Sequence, residues 1–187
     1  PTKKSTIDSF KGNCYKLQHM VKSLKTKKQG KAVVTAAFSF DSAVLAKQLL
    51  AAAPERAREV LVRRFGLGSN PERETLEAIG DRSSITRERV RQIEAAGLDA
   101  VRASKAFKEA SAAFVEIAQY ISTLGAIVPE ETLLASLGKD EKTRNRFRFF
   151  LMLDSAFFRE RETNDFLASW HIDTTTAKHN HEALSKL

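Results

Sequence analysis

Residues 75–102, TLEAIGDRSSITRERVRQIEAAGLDAVR, decide how the chain reads. Leu76 and Ile79 sit three apart, the spacing of one buried face on a short helix. Gly80-Asp81-Arg82-Ser83-Ser84 has the composition of a turn, and Gly80 has access to backbone angles closed to other residues. Thr86 is a good N-cap, with Glu88 and Arg89 in the first turn that follows. Val90, Ile93, Gly97 and Val101 then recur at three- and four-residue steps and form one apolar stripe. Arg87, Glu88, Arg91 and Gln92 share the opposite side near the helix start. A helix, a tight turn and a second helix with this outward face make a helix-turn-helix, which presents that face to the DNA major groove.

The four outward side chains suit base recognition. Arg forks onto the two acceptors of guanine, Gln pairs with the acceptor and donor of adenine, and Glu accepts from the cytosine amino group. The plain alternative is an amphipathic helix with a solvated charged face, and spacing alone does not choose between them.

The wording of the stretch does choose. TLEAIG followed by ITRERVRQIEAAGLDAVR resembles region 4 of sigma-70-type sigma factors, the part that recognises the promoter −35 element. Upstream, Glu55 to Leu67, ERAREVLVRRFGL, resembles the first helices of the same region, so the likeness runs from about Val44 to Arg102. Position by position, the resemblance implies that Arg87, Glu88 and Gln92 contact bases. It implies that Arg91 and Thr75 lie near the phosphate backbone, and Arg82 and Arg89 are added as phosphate contacts. In that family region 4 also docks on the β-flap of RNA polymerase. No stretch resembles region 2, so the expectation is a regulator and not a self-sufficient sigma factor. Two features depart from the family. Gly97 stands where a helix former is usual, at a cost of ~1 kcal/mol, and the loop Gly80 to Ser84 is unusually polar.

Composition bounds the rest. The chain has 187 residues, room for one or two small domains, and is 42% hydrophobic. Twelve Phe against two Tyr and one Trp is a core-filling pattern. Residues 1–31 hold nine Lys and one acid, Asp8, so the whole net charge of +8 lies there. Ile7, Phe10, Cys14, Leu17, Val21 and Leu24 give that segment a helical stripe. A basic amphipathic helix has three uses: a phosphate-contacting arm, a membrane-surface helix or a partner helix. Beside a DNA-reading motif the membrane use is disfavoured, and Lys25, Lys27 and Lys28 become further phosphate contacts. A lone Cys14 fits a reducing cytosol. No apolar run approaches the ~20 residues of a membrane span, and the Lys-rich start lacks the apolar core of a secretory signal. The expected location is therefore cytoplasmic, at the bacterial nucleoid.

Asp41 or Ser42 caps a helix to about Ala53. Pro54 and Glu55 open the next, which Gly66-Leu67-Gly68 stops. Phe107, Phe114, Ile117, Ile121 and Leu124 predict one helix over about 104–123. Pro129 opens a helix that Gly138 ends, and Asp140 caps another to about Leu153, with Phe147, Phe150 and Leu151 inward. Residues 157–162 and 166–171 read as a hairpin, and 174–187 as a final helix. This half resembles, at the level of pattern, the HARE-type winged helices found beside bacterial transcription proteins. His171, His179 and His181 lack ligand spacing, so no metal, no cofactor and no catalytic set is expected. The expected fold is mainly α, with a sigma region 4-like helix-turn-helix and a winged-helix-like module carrying a small β-hairpin. Its expected divisions are a basic segment 1–40, a helix-turn-helix domain 41–105 and a winged-helix-like domain 106–187. The expected function is that of a sequence-specific DNA-binding transcription regulator with double-stranded DNA and RNA polymerase as partners. A protein-interaction module that never reads bases is the alternative.

Overall fold

The computed structural model describes residues 37–125, 127–163 and 167–172. The stripe over residues 7–24, the lysines at 25, 27 and 28, and the final helix over 174–187 lie outside them, as do His179 and His181. Among the described residues there are eight helices and three short strands. The helices are α1 (Ser42–Ala51), α2 (Glu55–Phe65), α3 (Leu76–Ser83), α4 (Arg87–Ala103), α5 (Lys105–Glu109), α6 (Ser111–Leu124), α7 (Glu130–Leu137) and α8 (Glu141–Leu153). The strands are β1 (Val128–Pro129), β2 (Phe158–Glu160) and β3 (Ser169–His171). The chain divides into two compact units. One includes residues 37–114 and 134–154, the other 115–133 and 155–172.

In the first unit the expected helix signals act where the sequence puts them. The Asp41 carboxylate accepts from the amides of Ala43 at 2.6 Å and Val44 at 3.3 Å, capping α1. Arg58, from α2, closes the other end by donating to the carbonyls of Leu50, Ala51 and Ala53 at 3.0–3.1 Å. The Leu50 carbonyl also accepts from Ala53 N–H at 3.1 Å, so the guanidinium adds to a C-terminal cap that the backbone begins. Gly66 ends α2 in a left-handed conformation, φ 61°, with Leu67 N–H donating back to the Val62 carbonyl. The single helix expected over 104–123 is instead two. Ser104 takes an extended conformation, and its hydroxyl accepts from Phe107 N–H at 3.2 Å while donating to the Val101 carbonyl at 2.7 Å. The Ser thereby stops α4 and starts α5, and Ala110 then separates α5 from α6. No residue type marks that second break.

The core of this unit is aromatic and centred on α8. Phe147, Phe149 and Phe150 are fully buried. Their ring centroids lie 5.1 Å from Phe38, 5.4 Å from Phe65 and 6.3 Å from Phe114, respectively. Each such pair adds roughly 0.5–1.5 kcal/mol to simple burial. Helix α8 thus packs with α1, α2 and α4, the helices of the helix-turn-helix unit. Asn145, on the same buried side, is 0% exposed.

The second unit carries the antiparallel sheet, in order β1-β3-β2. The expected hairpin is present as β2 and β3, paired Phe158 to His171 and Glu160 to Ser169. Its loop residues 164–166 are outside the described set. Strand β1 was not legible. It pairs Val128 with Trp170 and Pro129 with Ser169, and Pro is tolerated because β1 is an edge. The central strand is buried throughout, and Trp170 donates its indole N–H to Glu130 Oε2 at 3.2 Å. The protein is therefore mainly helical, with a helix-turn-helix and a small three-stranded sheet.

Candidate nucleic-acid interface

Val60, Ile79 and Val90 form the apolar centre beneath α3 and α4, with Leu76, Ile85 and Ile93 packed around them. Thr75 caps α3 by accepting from Ala78 N–H at 3.2 Å, and Thr86 caps α4 by accepting from Arg89 N–H at 3.2 Å. The turn between them is shorter than the residue types suggest. Residues 80–83 continue α3, and the left-handed residue is Ser84, φ 52°. The conformational freedom expected of Gly80 is unused. Gly80 is required for a different reason: a Cβ there would sit 2.6 Å from the Ile85 carbonyl oxygen. The same turn has Ile85 N–H donating to the Gly80 carbonyl at 3.0 Å. Close approach of backbone, not backbone angle, sets the crossing of α3 and α4.

Val90, Gly97, Leu98 and Val101 of α4 face inward, with Ile93 half-buried. Gly97, costly in an isolated helix, lets α4 lie against α2. A Cβ at that position would fall 2.9 Å from Ala57 Cβ and 3.2 Å from Leu61 Cδ1. Arg64 braces the same crossing, with Nε 3.4 Å from Glu94 Oε1 and Nη1 donating to the Glu74 carbonyl at 3.1 Å.

The side chains of the opposite face are all exposed. Arg91 grips Glu88 with two parallel hydrogen bonds, Nε to Oε2 at 2.8 Å and Nη2 to Oε1 at 2.7 Å. Gln92 Nε2 approaches Glu88 Oε1 at 3.5 Å, and Gln92 Oε1 accepts from Arg89 Nη1 at 3.1 Å. Arg87 stands apart from this chain of contacts and pairs with Glu77 of α3 at 2.7 Å. The hydrogen bond from Arg91 is the main reason that the Glu88 carboxyl is held below the usual carboxylate range; Arg91 itself is pushed up by the same bond. Arg82 lies at the end of α3, 3.5 Å from Glu74 Oε1. The structure thus brings Arg87, Glu88, Arg89, Arg91 and Gln92 to the first two turns of one helix. It sets Thr75 and Arg82 at the two ends of the helix before it.

Three groups escaped the sequence reading. Glu74, 24% exposed, lies between Arg63 at 3.7 Å and Arg82 at 3.5 Å. Glu77 holds Arg87. Asn145 of α8 donates to the carbonyls of Pro71 at 2.7 Å and Gly66 at 3.3 Å, pinning the loop that delivers α3. An Asn four residues before Phe149 falls on the apolar stripe of α8, and that misfit was the available signal. Among the described residues no group of three His, Cys, Asp or Glu side chains is placed to hold a metal ion. His171 is buried in β3, stacked on Phe158 with centroids 5.5 Å apart. No helix among the described residues is long and apolar enough to cross a membrane.

These elements define a helix-turn-helix protein. Residues 49–103 match the sequence family described as Sigma-70, region 4. A 53-residue stretch is 53% identical to the RNA polymerase sigma factor RpoS of Coxiella burnetii, covering 28% of this chain and 15% of that protein. No solved structure matches the chain. Residues 49–103 are thus similar in sequence to sigma factor region 4, and this chain spans only a small part of that relative's length. The match stops at Ala103, so α8, which supplies much of the unit's core, lies outside it.

Proposed function

We propose that the protein is a sigma-like transcription regulator that reads duplex DNA with α4. Arg87, Glu88 and Gln92 contact base edges. Thr75, Arg82, Arg89 and Arg91 fix the helix on phosphates, and Lys25, Lys27 and Lys28 add attraction that does not depend on sequence. The observation that carries this is the outward face of α4. Two Arg-bearing turns with a Glu and a Gln project from a helix whose other side is fixed by the α2–α3 core. The same module docks on the RNA polymerase β-flap, and the protein works at the bacterial nucleoid. Residues 106–187 carry a HARE-type winged-helix-like part beside the module at 41–105, α8 of that part completing the module's core, with 1–40 as a basic arm.

Selection from a random duplex pool at near-physiological salt, using the intact chain, tests the reading. The expected result is an enriched motif with G and A at adjacent positions, lost in Arg87→Ala and Gln92→Ala. Binding without enrichment overturns it. One observation favours a second reading, a protein-interaction module. Arg87, Glu88, Arg89, Arg91 and Gln92 all have partners within the chain and need no base to satisfy them. Co-purification with RNA polymerase and no preference among duplexes is the outcome that reading expects.

A further inference from the structure

The exposed side of α4 is a connected chain of side chains and not a row of independent charges. From Arg89 the contacts run to Gln92 Oε1 at 3.1 Å, from Gln92 Nε2 to Glu88 Oε1 at 3.5 Å, and from Glu88 to Arg91 at 2.7 and 2.8 Å. The sequence builds it by spacing. Positions 88, 91 and 92 stand three and four apart, and 89 reaches 92 by the same step of three.

Two physical consequences follow. The first concerns the Gln92 amide. Its oxygen faces a guanidinium and its nitrogen faces a carboxylate. A flipped amide would set the NH2 group against Arg89 and the oxygen against Glu88, both repulsive, so the surrounding charges fix one orientation. The second concerns Glu88. A bare carboxylate beside phosphates is repelled, and a free Glu side chain samples many rotamers. The Arg91 fork neutralises the charge and fixes the carboxylate plane. Oε2, which accepts only from Arg91 Nε, still has a lone pair for a base amino group. Arg91 commits two of its five N–H donors and Arg89 one, so both retain donors for phosphate.

We infer that Arg91 and Arg89 are positioning residues for base recognition, presetting the Glu88 carboxylate and the Gln92 amide before DNA arrives. The inference rests on the proposed base reading and gives these two arginines a task beyond phosphate contact. It makes the specificity of α4 a property of four side chains acting together. Ordering a side chain in advance is worth roughly 2–10-fold in affinity, realised only for the base that matches the preset group.

The test uses the intact chain and the random duplex pool, with Arg91→Lys, Arg91→Ala, Arg89→Ala and Glu88→Ala compared with wild type. Circular dichroism melting establishes that each variant is folded, as expected for exposed positions. Lysine keeps the positive charge but not the two-pronged grip. Arg91→Lys should therefore preserve the salt dependence of binding while preference at the base read by Glu88 falls roughly 5–10-fold. Arg89→Ala should relax preference at the base read by Gln92 alone. In Glu88→Ala, adding Arg91→Lys should cost no further preference. A wild-type pool without an enriched motif overturns base reading, and the inference with it. A wild-type motif kept base for base in Arg91→Lys, with Arg91→Ala weakening all sequences alike, overturns the inference and leaves base reading standing.

Discussion

Helices α4 and α8 lie in the same unit, both open on a side-chain cap and both are rich in arginine, yet they do opposite things. Helix α4 buries Val90, Gly97, Leu98 and Val101 in 17 residues. Helix α8 buries Asn145, Phe147, Phe149, Phe150, Leu151 and Leu153 in 13. The arginines follow from that difference. Arg87, Arg89 and Arg91 stand exposed, whereas Arg144, Arg146 and Arg148 are only half-exposed. Arg144 donates to the Gly138 carbonyl at 3.0 Å and Arg148 to Asn145 Oδ1 at 2.8 Å. Basic content therefore does not tell an outward-facing helix from one folded into the core. The width of the apolar face does, because a helix that buries half its circumference has no free side left for a partner. Arg102 joins the two helices: from α4 it caps the end of α8, donating to the Leu153 and Met152 carbonyls at 2.8 Å.

The contrast is sharpest in what each helix loses on mutation. Phe150→Ala in α8 should cost ~3–5 kcal/mol of unfolding free energy, read from urea titration. A chain cut after Ser104 should lose its cooperative transition altogether. A cut chain that unfolds with the wild-type midpoint would mean that α8 merely leans on the unit. Asn145→Ala comes next. It strands the Gly66 and Pro71 carbonyls, and the expected loss is ~2–3 kcal/mol, again by urea titration. In α4 the costs move from folding to binding. Arg87→Ala and Gln92→Ala should change stability by less than ~0.5 kcal/mol, and weaken the preferred duplex by ~1–3 kcal/mol in fluorescence anisotropy. The smallest effect is shared by both helices. Thr86→Ala and Asp140→Ala each remove a cap worth ~1 kcal/mol.

The two caps differ in their pH dependence. The Asp140 carboxyl is held below its ordinary value, chiefly by the Thr143 hydroxyl and then by the Thr143 amide. A depressed folded pKa means that this contribution is complete above the unfolded value, ~3.9, and lost as pH falls through the folded one. Stability curves of wild type and Asp140→Asn should therefore converge as the pH falls below ~4, while the Thr86→Ala difference stays constant. Parallel Asp140→Asn and wild-type curves down to pH ~2 would show that the carboxylate charge adds nothing to the cap.

Much of the helix-turn-helix was legible. The caps Thr86 and Asp140, the Gly66 stop and the stripe of α4 are local signals, each read within one or two turns of chain, whereas the Thr75 cap on α3 emerges from the structure. The misreadings were also local in cause. Turn composition at residues 80–84 suggests a loop, but the packing of Ile79 and the close approach of Gly80 to the Ile85 carbonyl carry α3 through to Ser83 against weak helix propensity, and Ser84 takes the strained left-handed position. Strand β1 has only two residues and contains Pro129, too short for any alternation. The glycine at 97 reads locally as a flaw in α4, yet a Cβ there would meet Ala57 and Leu61 of α2. On the outward face, the sequence placed Glu88, Arg91 and Gln92 together, but not the direction of each hydrogen bond or the pairing of Arg87 with Glu77.

The sequence by itself determined where helices begin and end, which side of α4 is apolar, and which residue types stand on the other side. Those follow from hydrogen-bonding caps and a 3.6-residue period, which act over short distances. Only the tertiary structure decided that α8 completes the core of the helix-turn-helix unit, that Asn145 pins the α2–α3 loop 74 residues away from its Pro71 partner, and that Gly80 and Gly97 serve close packing. Nothing in the order of residues encodes such contacts locally. They arise when apolar faces seek burial and every enclosed polar group must find a partner.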